Sequence, residues 1–157
     1  MKMIAKQGHD IANHGYSHLR MGALDKRKLK YEITECSKTL NQLIDGDINL
    51  LRPPYGDYSN NVISTARELG YFTIQWDVDS LDWKPGITKQ EIMSRVLTKV
   101  RPGSIILFHN DTPYTAKALP ETIKALKKEG YELLPVSSLI IRENYYLDFE
   151  GRQRIKE

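Results

Sequence analysis

Apolar residues recur at three- and four-residue intervals from Leu29 through Ile33, Cys36 and Leu40 to Leu43 or Ile44, which predicts an amphipathic helix over roughly Leu24–Ile44. Its stop falls in Asp45-Gly46-Asp47. Leu50–Arg52 then predicts a short strand running into Pro53-Pro54-Tyr55-Gly56, where neither a helix nor a central strand can continue. Asn61–Leu69 has helical spacing closed by Gly70, and Tyr71–Asp77, rich in aromatic and β-branched residues, predicts a strand. Thr88 followed by Glu91 is a capping box, opening a helix to about Val100 with Ile92, Val96 and Val100 inward. Ser104–Phe108 is the most apolar run in the chain and predicts a fully buried strand. A helix over Pro120–Glu129, closed by Gly130, and a strand over Glu132–Pro135 complete the central pattern.

The two ends are less regular. Lys2–Gln7 followed by Gly8 reads as the last turns of a helix, and Asp10–Asn13 as a short strand. Beyond Ser138 a helical turn leads to Tyr145–Phe149 and Arg152–Ile155 around Glu150-Gly151, an edge hairpin or a tail. A strand followed by a helix, repeated about five times, is the signature of an α/β fold whose site lies at the carboxyl ends of its strands. This places one domain over residues 1–141 and a C-terminal tail or edge hairpin over 142–157.

The length of 157 residues suits a single domain, and the net charge of +3 is spread along the chain, which argues against a nucleic-acid groove. The most basic stretch, Lys26, Arg27, Lys28 and Lys30, reads as a solvated helix face. The one cysteine, Cys36, cannot form an internal disulfide and lies on the apolar side of its helix, as a small core residue would. Met1–Gln7 is too short and polar for a signal peptide, and no apolar run spans a bilayer, so the chain taken literally is cytoplasmic.

Chemistry-bearing residues cluster at the ends of the predicted strands. His14 and His18, in His14-Gly15-Tyr16-Ser17-His18, have a spacing that lets two imidazoles reach one metal ion, although hydrogen-bonded loop histidines would look the same. Arg52-Pro53-Pro54-Tyr55-Gly56 is a rigid basic turn whose guanidinium could orient a carboxylate and whose backbone N–H groups could face an oxyanion. Asp79-Ser80-Leu81-Asp82-Trp83 sets two carboxylates beside an indole, either a functional turn or an ordinary acidic one. His109 emerges from the Ser104–Phe108 strand, poised for acid/base work if a carboxylate such as Asp82 holds its second ring nitrogen.

The ordered set HGYSH, RPPYG, DSLDW and LFH resembles the second to fifth motifs of the polysaccharide deacetylases of the NodB-homology family, carbohydrate esterase family 4, over Gly8 to about Leu139. The resemblance implies a distorted (β/α) barrel and hydrolysis of N-acetyl groups on a glycan such as peptidoglycan or a chitin-like polymer. It also implies a divalent metal, zinc or cobalt, bound by His14 and His18. Arg52 would orient the catalytic aspartate, the Tyr55 N–H would help hold the oxyanion, and Trp83 and Leu107 would wall a pocket for the acetyl methyl group. His109 would protonate the leaving amine, with Asp82 tuning it. The full-length protein would be secreted or held at the cell surface.

The family's first motif, a Thr-Phe-Asp-Asp-Gly run carrying the catalytic base and the third metal ligand, has no counterpart in this sequence. The expectation is therefore an incomplete barrel lacking its N-terminal strand or strands: a shortened piece, a damaged gene, or a frame begun at an internal methionine such as Met1 or Met3. Metal occupancy would be low, and exposed barrel edges would favour self-association. The alternative is a non-catalytic glycan-binding or structural remnant. Asp10 and Asp111 are the acids near enough in sequence to stand in for a missing aspartate.

Overall fold

A computed structural model describes residues 1–44 and 46–156. Asp45, in the predicted stop of the long helix, lies outside the described residues. The helices are α1 (Lys2–Lys6), α2 (Lys26–Asn41), α3 (Asn60–Glu68), α4 (Lys89–Lys99), α5 (Thr115–Lys128) and α6 (Val136–Leu139). The strands are β1 (Leu50–Leu51), β2 (Phe72–Thr73), β3 (Val78–Asp79), β4 (Ile106–Leu107), β5 (Tyr145–Leu147) and β6 (Gln153–Ile155). They pair as β1 with β2 and β3 with β4, both parallel, and β5 with β6, antiparallel, and among the described residues no barrel closes. The chain divides into two compact units, Met1–Gln75 with Pro135–Glu143 and Trp76–Leu134 with Asn144–Glu157.

In the first unit α2 forms because its apolar stripe and its cap agree. Asp25 accepts a hydrogen bond from the Lys28 N–H at 2.8 Å, satisfying one of the free amides of the first turn. Leu29 and Ile33 are fully buried against Met21, Leu51, Val62 and Ala66. Each such aliphatic side chain contributes about 1.5–3 kcal/mol. Cys36 is only half-buried, at the margin of the stripe and not within the core. The helix ends at Asn41, before the expected Ile44, because the Leu43 and Ile44 amides both turn back onto the Leu40 carbonyl. The predicted strand over Asp10–Asn13 shrinks to a single parallel bridge from Asn13 to Leu51, made by Asn13 N–H to Leu50 O at 2.8 Å and Arg52 N–H to Asn13 O at 2.9 Å. Asp10 instead accepts bonds from the Ser137 N–H and Oγ at 2.7 and 2.8 Å, pinning the first turn of α6.

In the second unit the capping box is present as the sequence predicts. Thr88 Oγ1 accepts from the Glu91 N–H at 3.2 Å, and Glu91 Oε2 accepts from the Thr88 N–H at 2.7 Å. Val78, Val96 and Leu126 form one buried cluster, and Ile87, Ile92 and Ala118 another. The Ser104–Phe108 run is not a fully buried strand: only Ile106–Leu107 pairs and only Leu107 is buried, because its ladder partner β3 is equally short. Helix α5 begins at Thr115, well before Pro120, since the Ala118 and Lys117 amides already bond to the Tyr114 carbonyl at 2.8 and 3.0 Å. Glu132–Pro135 is not a strand. The hairpin around Glu150-Gly151 is present, and Arg152 within it bonds to Asp77, whose Oδ1 also accepts from the Ile105 N–H at 2.8 Å.

Candidate functional site

In the first unit the chain brings together His14, His18, Tyr55 and the backbone of Arg52. The imidazoles of His14 and His18 have ring centroids 5.0 Å apart at 73°. His14 Nδ1 lies 2.5 Å from the Arg52 carbonyl oxygen, an acceptor that assigns the ring proton to Nδ1 and the lone pair to Nε2. His18 Nδ1 lies 3.2 Å from Tyr55 Oη, and the two rings stack edge to face with centroids 4.8 Å apart. An Nδ1 that donates to a backbone carbonyl is the arrangement of a metal-ligating histidine, and His14 has it, whereas the Tyr55 hydroxyl is able to donate to or accept from His18 Nδ1. The pair thus fits two positions around a divalent ion, and among the described residues no group of three His, Cys, Asp or Glu side chains forms around it.

The loop that carries the pair is held from below by α2. Asn13, fully buried, donates through Nδ2 to the Ile33 carbonyl and to Ser37 Oγ, both at 2.8 Å, and accepts from the Gly15 N–H at 2.9 Å. Glu32, also fully buried, accepts from the Ser17 N–H at 2.7 Å and stands 3.3 Å from the Lys28 ammonium. Burial alone would raise the Glu32 carboxyl, but the Ser17 amide and Lys28 outweigh it and hold the group below its ordinary value. Gly15 is left-handed at φ +76°, and a Cβ there would meet Met21 Cε at 2.8 Å, so glycine suits the position twice over. His18 and Tyr55, at φ 54° and 60°, take the same left-handed region without glycine's freedom. Arg52 is half-buried, and burial pushes its guanidinium down from the ordinary value.

In the second unit the expected partnership of His109 with Asp82 is present. Asp82 is fully buried, and its Oδ1 lies 2.7 Å from His109 Nδ1. Its Oδ2 accepts from the His109 N–H at 2.7 Å and from Thr115 Oγ1 at 2.6 Å. Burial would raise the Asp82 carboxyl, yet these donors outweigh it and keep the group below its ordinary value, so Asp82 is ionised at neutral pH. An ionised Asp82 takes the Nδ1 proton and directs His109 Nε2 away from itself. Leu81, at φ 54°, turns the chain into Asp82, with its N–H bonded to Asp79 Oδ1 at 2.8 Å. Leu107 is 7% exposed beneath this turn, with its carbonyl bonded by the Ser80 N–H, whereas Trp83 is 55% exposed. Asp111 is exposed and left-handed.

Three supporting residues were not singled out from the sequence: Asn13, Glu32 and Thr115. Glu32 had a readable signal, a carboxylate three positions after Leu29 and four before Cys36, on the apolar side of α2. Asn13 carried only the local signal of an Asx turn to Gly15, and its bonds to α2, like that of Thr115 to Asp82, run to partners distant in sequence.

The first unit thus holds a histidine pair and the second a carboxylate-held histidine, each at the end of a short strand of an α/β fold. The family model described as polysaccharide deacetylase matches residues 1–74. A peptidoglycan-N-acetylglucosamine deacetylase of Bacillus cereus is 34% identical over 146 residues, covering 89% of this chain and 67% of the relative. Another of that name from the same organism is 34% identical over 144 residues, covering 88% of this chain and 52% of the relative. Among solved structures, a CE4 family pseudoenzyme from Bacillus anthracis superposes with a TM-score of 0.83 at 29% identity, over 88% of this chain and 48% of that one. The chain belongs to the polysaccharide deacetylase family, carbohydrate esterase family 4, whose members are hydrolases of C–N bonds and generally use a divalent metal. It spans about half the length of the first curated relatives it matches, at 52%, 57% and 43% of theirs. Among the described residues no helix is long and apolar enough to cross a membrane.

Proposed function

We propose that this chain carries metal-dependent removal of N-acetyl groups from a polysaccharide of the peptidoglycan or chitin-like class, on an incomplete distorted (β/α) barrel. The observation that carries the reading is the histidine pair, with ring centroids 5.0 Å apart and both Nδ1 atoms tied to protein oxygens. His14 and His18 would hold zinc or cobalt through Nε2. When bound, such a metal lowers the pKa of a water molecule and polarises the amide carbonyl. The Tyr55 N–H would donate to the developing oxyanion, and Arg52 would orient a catalytic carboxylate, for which this sequence holds no Thr-Phe-Asp-Asp-Gly run. Trp83 and Leu107 receive the acetyl methyl group. His109, oriented by Asp82, delivers its proton from Nε2 to the departing amine.

A second reading, of a chain that binds glycan without cleaving it, is favoured by one observation: its structural likeness to the CE4 family pseudoenzyme, at a TM-score of 0.83 and 29% identity. Metal analysis of the purified chain, combined with acetate release from N-acetylglucosamine oligomers, separates the two. Stoichiometric zinc with acetate release supports hydrolysis. Substoichiometric metal and no acetate, with the oligomers still bound, supports the second reading, and loss of both metal and oligomer binding overturns both.

A further inference from the structure

Glu32 is a charged residue on the buried face of α2, fully inaccessible beside Leu29 and Ile33. An ionised carboxylate in such a place is unfavourable unless neighbouring charge and donors replace the lost water. Two groups from different directions offset that cost. Lys28, one turn earlier on the same helix, stands 3.3 Å from Oε1 as an ion pair without a hydrogen bond, and the Ser17 N–H, from the histidine loop, donates to Oε2 at 2.7 Å. The Glu32 backbone carbonyl accepts a further bond from the Tyr16 N–H at 3.1 Å. A Cβ on Gly15 would stand 3.8 Å from Oε2, so the loop backbone lies directly over the carboxylate. Asn13 fastens the other end of the same loop to the next turn of α2, at Ile33 and Ser37.

These contacts bracket His14 and His18. Ser17 immediately precedes His18, which adopts φ 54°, and a residue in that region keeps its conformation only where its neighbours over-determine it. A side-chain oxygen accepting the Ser17 amide at 2.7 Å supplies that constraint. We propose that Glu32 is a positioning residue for the histidine pair, setting where His18 stands relative to His14 and thereby the affinity of the pair for a divalent cation. The inference rests on the metal reading above for its consequence, but not for its geometry.

The test compares Glu32→Gln, which retains a carbonyl oxygen for the Ser17 N–H, with Glu32→Leu, which fills the same space on the apolar face and has no acceptor. Glu32→Met, more adaptable in shape, replaces E32L should the latter fail to fold. Zinc affinity is measured by competition with a chromophoric chelator. In the metal-free protein, hydrogen exchange at the Ser17 amide and the imidazole resonances of His18 report the loop directly. The expected result is a loss of zinc affinity of about tenfold or more in E32L, with faster Ser17 exchange and displaced His18 resonances, while E32Q stays near the parent. A mere packing role lowers the melting temperature and leaves affinity and resonances in place, and that result overturns the proposal. If the parent itself takes up no zinc, the metal reading fails and the loop still decides. Resonances displaced in E32L but not in E32Q sustain the positioning role, and resonances unmoved in both end it.

Discussion

Removing the Asp82 carboxylate should be the most damaging single polar change in the second unit. Asp82→Ala deletes an acceptor that serves the His109 N–H at 2.7 Å, the Thr115 hydroxyl at 2.6 Å and His109 Nδ1 at 2.7 Å, all around a side chain that is fully buried. A hydrogen bond to a charged group contributes about 1.5–3 kcal/mol, and partners left buried and unpaired add their own cost. Part is returned because the carboxylate no longer needs to be desolvated. The net loss should be about 3–5 kcal/mol, the range for breaking a buried polar network by removing one partner. Both tryptophans, Trp76 and Trp83, belong to this unit, so tryptophan fluorescence during urea unfolding reports it directly. The sign of the pH dependence also follows. The folded carboxyl lies below its unfolded value, so its contribution is complete above the ordinary carboxylate range and is lost as pH falls through the folded value. The gap between wild type and D82A should therefore narrow below about pH 4. A loss under about 1 kcal/mol at neutral pH, or a gap that does not narrow below about pH 4, would refute the account of Asp82 as an ionised hub.

Gly15→Ala forces a side chain into a left-handed position with its Cβ 2.8 Å from the movable end of Met21; a loss of about 1–2 kcal/mol in urea unfolding and weaker zinc uptake are expected. Thr88→Ala removes one half of the capping box of α4 and should lower stability by about 1 kcal/mol, with Thr88→Ser restoring most of it. Asp10→Ala breaks both bonds to Ser137 and should destabilise the first unit without altering zinc affinity, whereas a loss of zinc would make Asp10 a ligand after all. The short two-stranded sheets and exposed apolar residues such as Leu133, Leu134 and Phe149 should drive self-association, which light scattering across a concentration series measures; a monodisperse monomer counts against it.

The helices were legible because one local pattern encodes both the buried stripe and the cap. Leu29 and Ile33 face the core of the first unit, and Thr88 with Glu91 caps α4 as the spacing demands. The strands were not legible to the same degree, since a strand is defined by its partner. Tyr71–Asp77, rich in aromatic and β-branched residues, reads as one strand, yet only Phe72–Thr73 of it pairs, with β1, and Val78–Asp79, just beyond it, pairs with β4. Glu132–Pro135 reads as a strand from its place after a helix, yet among the described residues it pairs with no strand. Pro120 reads as a helix start because proline suits a first turn, but its missing N–H removes only the bond to the carbonyl four residues earlier, and α5 runs through it.

The candidate site divides along the same line. His14, His18, Asp82 and His109 were visible because their chemistry is rare and their order distinctive, whereas the groups that fix them in place act through backbone amides and distant hydroxyls. Thr115 reaches Asp82 only because α5 starts where it does, which no window around residue 115 could reveal. Glu32 is the instructive case, because an ionisable group inside an apolar stripe is a local contradiction, and such contradictions persist only where something offsets their cost. Three of the left-handed non-glycine residues, His18, Tyr55 and Leu81, repeat the point in the backbone, each within a motif and each near a polar anchor: the buried Glu32 for His18 by way of Ser17, the Arg52 N–H to Asn13 O bond for Tyr55, and the half-buried Asp79 for Leu81. Each left-handed residue costs on the order of 1 kcal/mol. That this cost and the buried charges fall on the same short segments, in both units, is the physical reason to treat those segments as the working parts of the chain.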